Sequence, residues 1–551
     1  MSLLILIPLL MGVVAYWFPR TGALAVLLAS QAVTLGLAAT QVIPLIRTGS
    51  SIRETLGGTD RALNIELLAT ATSMGLVVLT GVLMLAASIC ALRFVNQKFV
   101  LLLLLLQAVL NGLFLTDDVF NLFVLLEVVT LVMVLLNLFI RERRSIYDAL
   151  YYLIIQIIGM SFFLLGIAYL YRAVGQLSLS LITASIAAGM VTGTQLLVPM
   201  ALMLTGLALK VGLFPLMSYI PRFYGNPGAP LVVLMLSSSL LSTAVLFWIA
   251  RIVWAFSPLL DIRPLLLILG FATALGGAVK ALVQRDARML LAFSTVSQAG
   301  LMLIALGGGT ALSERGFIAH LFAHALTKGL LFIGVGVLTE AYGTCDLFVI
   351  RERIWQTPLL GAAFAVGALS LIGFPLTAGG VSKYWIVEGA HGWLYWGIWL
   401  VNLGTTMVMA RLLVPRSWLG LAPVGPSEPT FKASDFAAPV ADGTPTGRMG
   451  LVPTYVQITL AALTLLVLLF GFTGLNLSIT WLAFANKAWQ ILLLAALALF
   501  LTRIWPRIAP TSWYAQLQPS LTNALALPDA CLAVAAFFAG VLLLSMVMGV
   551  A

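Results

Sequence analysis

The sequence predicts an all-α polytopic membrane protein with about 14–16 transmembrane helices. Three observations carry this. Of 551 residues, 62% are hydrophobic and only 9% are charged. Apolar runs long enough to cross a bilayer, about 20 residues each, follow one another from end to end. The charged residues cluster in the short connections between those runs. A soluble domain carries roughly 45–50% apolar and about 25% charged residues, so soluble, disordered and fibrous classes are excluded together.

The apolar runs fall at 2–18, 22–46, 68–93, 99–116, 118–140, 149–172, 196–218, 229–254, 263–285, 289–308, 316–342, 357–378, 382–412, 452–473, 487–505 and 529–550. Some are expected to be halves of one broken helix. The first opens at Met1 with no basic stretch and no small-residue cleavage site, and is expected to be a retained helix. Odd-numbered connections carry Arg20, then Arg93 and Lys98, then Arg141-Glu142-Arg143-Arg144. Even-numbered ones carry Arg47, Arg53 and Arg61, then Asp117-Asp118, then Arg172. The basic excess on the odd side places the N-terminus on the outer face by the positive-inside rule. Residues 414–451, rich in Pro, Gly and Ala, are expected to form a solvent-exposed loop. Gly175 to Gln195, rich in small and hydroxyl residues, is expected to be a short interfacial element.

Several chemistries have no support. The formal net charge of +10 reflects basic loops, which membrane topology explains without nucleic acid. Cys90, Cys345 and Cys531 lie far apart, which suits neither an iron–sulfur cluster nor a disulfide framework. Neither a strand–GxGxxG–helix unit nor a GxxxxGK[ST] loop occurs, so no nucleotide or redox cofactor is expected on this chain.

Ionisable residues inside the apolar runs are the candidate site, because each costs at least about 2.5–3.5 kcal/mol at mid-bilayer. Glu127 lies in FVLLEVVTLVMV with no cation nearby on its own run. Its plain alternative is a protonated acid that hydrogen-bonds two helices together. Lys210 stands five residues before Pro215, which is expected to loosen the helix beside it. Its depth argues against a side chain that reaches back to the interface. Lys280 is near the end of its run and could do so. Arg285, Asp286 and Arg288 follow and are expected at the interface.

His320, His324 and Lys328 stand at i, i+4 and i+8, along one helical stripe. Two histidines at this spacing could bind zinc, but the next position is a cation and no acid or thiol is near in sequence. A row of titratable groups suits a proton relay better, and no metal is expected. Lys383 follows Pro375, Gly379 and Gly380, a stretch expected to interrupt its helix. Phe-Pro-Leu occurs both here (374–376) and after Lys210 (214–216), with the lysine before the proline in one case and after it in the other. That reversal hints at two inverted halves.

Four ordered segments resemble one family. FLTDDVFNLFVLLEV, ALVQRDARMLLAFSTVSQAGLML, HLFAHALTKGLLF and GFPLTAGGVSK are similar to segments of the antiporter-like, proton-conducting membrane subunits of respiratory complex I and of Mrp-type cation/proton antiporters. The form Asp-x-Phe-Asn-Leu-Phe-x-x-x-Glu, here Asp118 to Glu127, most resembles the Mrp D subunit. The resemblance implies two inverted five-helix repeats, each with one broken helix. It divides the chain into N-terminal helices 1–98, half-channels 99–255 and 256–413, the loop 414–451 and C-terminal helices 452–551.

Position by position, Glu127 matches the glutamate of the first half-channel and Lys210 its broken-helix partner. His320, His324 and Lys328 match the central relay, and Lys383 the lysine of the second half-channel. Arg288 stands where many members carry lysine. Two positions depart from the pattern: Met217 stands in place of a histidine and Thr243 in place of a lysine. Water, Thr243 or Lys280 could fill that gap.

The resemblance implies a multi-pass subunit of a bacterial or archaeal cell membrane. Its partners would be the bilayer and other hydrophobic subunits, and its cargo protons together with Na+ or K+. It would be an ion-transport subunit with no redox or nucleotide site of its own. The alternative is a proton-pumping subunit of a complex I-type oxidoreductase or a membrane-bound hydrogenase. In either, a buried lysine beside a carboxylate holds its proton, and releases it when the carboxylate withdraws. A stand-alone transporter for a small solute is the third possibility, but it needs a solute pocket that the sequence does not suggest.

Overall fold

The structure is a computed structural model, and it describes residues 1–57, 64–92, 96–139, 143–226, 229–415, 417–419, 453–478 and 527–547, with a few positions in 492–500. The expected loop 414–451 and the expected span 487–505 lie largely outside the described residues. Among those described, 12 helices are long and apolar enough to cross a membrane, or 13 if one pair bent by 118° (Leu347–Gln356 with Pro358–Ile372) counts as a span. Two shorter apolar helices, Leu3–Trp17 and Leu527–Leu543, stand outside that count. The protein is thus an all-α polytopic membrane protein.

The chain divides into two compact units. Unit 1 comprises Met1–Tyr219, Leu240–Leu266 and Leu525–Ala551. It holds α1 (Leu3–Trp17), α2 (Arg20–Thr48), α3 (Ala71–Ala91), α4 (Gln97–Leu115), α5 (Val119–Asn137), α6 (Arg143–Val174), α7 (Leu179–Ala187) and α8 (Gly193–Val211). The helix Leu527–Val547, which packs on α6 and α8, also belongs to it. Unit 2 comprises Ile220–Ser239 and Leu267–Ala524. It holds α9 (Ile220–Tyr224) and α10 (Leu231–Leu236), from which a π-turn, Ser237–Leu241, leads into α11 (Ser242–Phe256) of unit 1. Also in unit 2 are most of α12 (Arg263–Val283), then α13 (Ala287–Gly307), α14 (Ala311–Tyr342), α15 (Leu347–Arg353), α16 (Pro358–Ile372), α17 (Ala378–Glu388), α18 (Trp393–Leu413) and α19 (Thr454–Ser478).

Where helices are apolar all round, small residues decide which faces meet, because they let backbones approach. A Cβ on Gly206 of α8 would stand 2.7 Å from the Gly159 carbonyl oxygen of α6. In unit 2, a Cβ on Gly300 of α13 would stand 2.3 Å from the Ala274 nitrogen of α12. Neither position accepts a side chain without the helices parting.

Both Phe-Pro-Leu segments are helix breaks, but glycine rather than proline makes the stop. α8 ends at Gly212 and α16 at Gly373, both left-handed, with φ of 78° and 100°. In each case the glycine and the following residue donate back into the last turn: Leu213 to the Ala208 carbonyl (2.9 Å) and Phe374 to the Leu369 carbonyl (2.8 Å). This is the Schellman closure, which satisfies carbonyls that a broken helix would leave bare in lipid. Gly379 and Gly380, expected to interrupt the helix, lie in the first turn of α17 instead. They are glycines because the turn is pressed against the previous half-helix: a Cβ on Gly379 would collide with the Ser370 carbonyl oxygen at 1.7 Å.

Further departures from the sequence expectation have local causes. The run 382–412 divides into α17 and α18 at Gly392, whose φ is 59°. Arg143 and Arg144, expected in a connection, open α6. The soft stretch 175–195 supplies the nine-residue α7. A two-stranded antiparallel hairpin, β1 (Ile52–Leu56) and β2 (Ile65–Ala69), occupies the connection after α2, where no strand was expected. Its strands, IRETL and IELLA, show no strict period-2 alternation, and β2 is the more buried of the two.

One device appears in both units. The residues around Asp118, at the start of α5, form an antiparallel bridge with those around Ser178, before α7. The residues around Asp286, at the start of α13, form the same bridge with those around Asp346, before α15. The hydrogen bonds correspond one for one: Val119 to the Leu177 carbonyl and Leu179 to the Asp117 carbonyl, then Ala287 to the Cys345 carbonyl and Leu347 to the Arg285 carbonyl.

Gly373→Ala would force a side chain into left-handed backbone 2.9 Å from Cδ of Lys383, and is expected to destabilise the protein by about 1–3 kcal/mol. Gly36→Ala, on an exposed helical face with nothing within 4 Å, is expected to be neutral or slightly stabilising. Thermal unfolding of the detergent-solubilised chain compares the two, and equal midpoints would contradict the cap assignment.

Candidate functional site

In unit 1, Lys210 occupies the last turn of α8, just before the Gly212 stop. It is 4% exposed, so its stem does not reach back to the interface. Its ammonium donates to the Leu126 carbonyl (3.0 Å) and to the Thr130 hydroxyl, both on α5. Those acceptors flank Glu127, whose carboxylate is within electrostatic reach of the lysine. Oε1 of Glu127 has no hydrogen-bond partner among the described residues. The lysine therefore rests on neutral oxygens beside the acid rather than on the acid itself. Tyr219 donates to the Lys210 carbonyl at 3.0 Å, closing one more acceptor at the break. Met217 is buried in the turn beyond it, and Thr243 is buried on α11.

An ion-paired cluster closes one end of the same unit. Arg251 of α11 lies over the Trp248 ring at 4.3 Å and donates to Asp117 and to the Thr116 carbonyl. Ser178 donates to Asp117 (2.9 Å) and to Glu66 (3.2 Å), and Arg53 pairs with Glu66 at 3.2 Å. Asp117 and Glu66 are fully buried, so the Asp117 expected as a solvated loop charge is instead part of the core. Next to it, burial pushes the Asp118 carboxyl above its usual range, against the pull of the Asn121 and Phe120 amides.

In unit 2, the stripe of α14 faces polar groups on several helices. His320 Nδ1 is 2.8 Å from the Ser382 hydroxyl of α17, and Nε2 is 3.1 Å from Oε1 of Gln298 on α13. Gln298 in turn donates to Thr405 of α18 at 3.0 Å. His324, one turn on, has no hydrogen-bond partner for either ring nitrogen among the described residues. Lys328 is completely buried and donates to the Leu291 carbonyl (2.9 Å) and the Ser294 hydroxyl (2.8 Å) of α13. Lys383, next in sequence to Ser382, donates to Oδ1 of Asn402 on α18 at 2.9 Å.

Two expected relay residues stand apart from this row. Arg288 was expected at the interface but is buried, held by Asp286 at 2.7 Å and by the Asn226 carbonyl. Asp286 also caps the α13 N-terminus, so Arg288 belongs to the bridge there. Arg285 pairs with Asp346 across it at 3.0 Å. Burial pushes the neighbouring Cys345 thiol up to about 11. Lys280 sets its ammonium over the Phe293 ring at 5.5 Å. The described residues hold no group of three or more His, Cys, Asp or Glu able to bind a metal ion.

The sequence singled out the amines, the acid and the imidazoles. It did not single out the neutral groups that hold them: Thr130, Ser294, Gln298, Ser382 and Asn402. Arg251 was also passed over, although a charge inside an apolar run was the very signal in use.

The chain is similar to known membrane proteins. Residues 116–409 match the model of the family described as NADH:quinone oxidoreductase/Mrp antiporter, transmembrane. The chain is 30% identical over 437 residues to the N subunit of the NADH-quinone oxidoreductase of Desulforudis audaxviator, covering 76% of this chain and 86% of that one. It is 30% identical over 322 residues to the D subunit of the Na+/H+ antiporter of Alkalihalophilus pseudofirmus, covering 57% and 64%. Among solved structures, the Mrp complex from Dietzia sp. DQ12-45-1b contains a chain of the same fold, with a TM-score of 0.75, 23% identity and coverage of 91% and 98%.

Arg251→Ala leaves buried Asp117 unpaired and is expected to cost about 3–5 kcal/mol. Pairing it with Asp117→Asn is expected to recover part of that loss. A double-mutant cycle on thermal stability checks both, and strict additivity would deny the coupling. Cys345, buried and protonated, is expected to resist maleimide at pH 7 in the folded chain and to react once unfolded.

Proposed function

Since the chain belongs to the NADH:quinone oxidoreductase/Mrp antiporter family of membrane subunits, we propose that it is the proton-translocating subunit of a multisubunit Mrp-type Na+(K+)/H+ antiporter. Family membership by itself makes it an antiporter-like, multi-pass membrane subunit of the kind found in Mrp and complex I-type assemblies. The Mrp assignment is supported by the Asp118-to-Glu127 wording and by the likeness to the antiporter D subunit.

The observation that carries a proton role is the seat of Lys210. A buried amine rests on neutral oxygens one turn from a carboxylate that has a vacant oxygen. Movement of Glu127 toward the amine favours the ammonium, and movement away favours release. Lys328 and Lys383 are the corresponding amines of unit 2, with His320 and His324 as relays beside them. Arg288 and Lys280 are subsidiary, since their contacts lie with Asp286 and Phe293. The cation that moves Glu127 would pass through a neighbouring hydrophobic subunit. The N-terminus is assigned to the outer face of a bacterial or archaeal cell membrane.

One observation favours the second assembly. The likeness to the oxidoreductase N subunit spans more of this chain than the likeness to the antiporter D subunit. A proton-pumping role in a complex I-type oxidoreductase or membrane-bound hydrogenase uses the same residues. Purifying the native complex separates the two: small hydrophobic subunits alone indicate the antiporter, and iron–sulfur subunits the oxidoreductase.

Glu127→Ala and Lys210→Ala are each expected to abolish proton-coupled cation exchange in membrane vesicles while the complex still assembles. Full exchange in both variants would overturn the assignment.

A further inference from the structure

Among the described residues of unit 2, Lys328 is the most deeply buried amine, and its acceptors are neutral. To act more than once it must exchange protons with something, and the hydroxyls packed beside it on α13 offer the route. Thr295, next in sequence to Ser294, donates to the Leu291 carbonyl at 3.1 Å. Lys328 donates to that same oxygen at 2.9 Å. Two donors sharing one acceptor are within the reach of a single bridging water. The Thr295 hydroxyl is also hydrogen-bonded to the Ser238 hydroxyl. One residue back, Ser237 accepts from the Tyr224 hydroxyl at 3.3 Å. Ser238 is completely buried and Thr295 nearly so.

The backbone at Ser238 is irregular: Ser237–Leu241 form a π-turn. Such turns widen the helix at the expense of its regular ladder and are frequent at functional sites. Here the widened turn presents consecutive serine hydroxyls, one to Tyr224 of α9 and the other to Thr295 of α13.

We propose that Ser238 and Thr295 form a hydroxyl relay that loads and unloads Lys328. This deepens the proposed function and rests on it. Each hydroxyl is at once donor and acceptor. Ser238 takes a proton on its oxygen and passes its own to Thr295. Thr295 does the same, through one water, to the neutral amine of Lys328, which becomes the ammonium. Every hydroxyl gains one proton and loses one, so the relay carries no lasting charge. That suits a path through a region where a fixed charge is costly. It needs no amine at position 243, since Ser238, Thr295 and Lys328 all lie in unit 2.

The test compares hydroxyl removal with hydroxyl retention in the native complex, in vesicles, with rates expressed per assembled complex. Thr295→Val and Ser238→Ala are expected to slow proton uptake about tenfold or more. Thr295→Ser and Ser238→Thr, which keep the hydroxyl, should stay near the parental rate and retain its solvent deuterium isotope effect. A purely structural hydrogen bond is also lost in valine and kept in serine, but its loss lowers the thermal unfolding midpoint and leaves the solvent deuterium isotope effect of the residual rate unchanged, whereas loss of a relay changes that isotope effect. Lys328→Ala is the reference. If it stops uptake while Thr295→Val and Ser238→Ala run at the parental rate, the relay is overturned and the function of Lys328 stands. If Lys328→Ala itself runs at the parental rate, the proposed role of the row falls, and the relay with it.

Discussion

An ammonium can remain inside an apolar bundle only where oxygens turn toward it. Among the described residues, the three buried lysines meet that condition with neutral acceptors: Leu126 and Thr130 for Lys210, Leu291 and Ser294 for Lys328, Asn402 for Lys383. Neutral acceptors hold an ammonium less firmly than a carboxylate would. They leave the amine able to give up its proton without stranding a buried anion. A buried ion pair does the opposite, as at Arg251–Asp117.

The helix breaks raise a separate requirement. The carbonyls that receive Lys210 and Lys328, at Leu126 and Leu291, use a second lone pair inside α5 and α13, whereas a helix terminus leaves several carbonyls with no intrahelical donor at all. The Gly212 and Gly373 closures satisfy part of that surplus, so that each break can lie at membrane depth. α19 reinforces the second break. Gly471 lies so close to Leu376 and Thr377 that a Cβ there would stand 2.5 Å from the Leu376 backbone, and Leu376 itself has φ of 73°.

What the sequence disclosed follows from cost. A lysine or glutamate in an apolar run is expensive enough to be noticed, so Glu127, Lys210, Lys328 and Lys383 were legible, and so was the His320–His324 stripe. Serine, threonine and asparagine are cheap in helices and occur throughout the chain, so Thr130, Ser294 and Asn402 carried no signal until packing chose them. Asp117 resembled a solvated loop charge because its partner, Arg251, is remote in sequence. Gly379 and Gly380 resembled helix breakers because the sequence cannot distinguish a glycine needed for its dihedral angle from one needed for its missing side chain. The hairpin was missed because its strands are five residues each and carry no regular alternation that would stand out between long apolar runs.

The paired bridges at Asp118 and Asp286 limit how these helices can move. Each fixes the first residue of a long helix to the chain just before a short one by two opposed backbone hydrogen bonds. A helix pinned in that way cannot slide along its axis without breaking both bonds, but it can pivot about the pinned end. Glu127 lies about 13 Å along α5 from that pivot, at 1.5 Å per residue, so a swing of about 5° carries its carboxylate about 1 Å sideways. With the pivot at that end, a small rotation of α5 would carry the acid toward the amine or away from it.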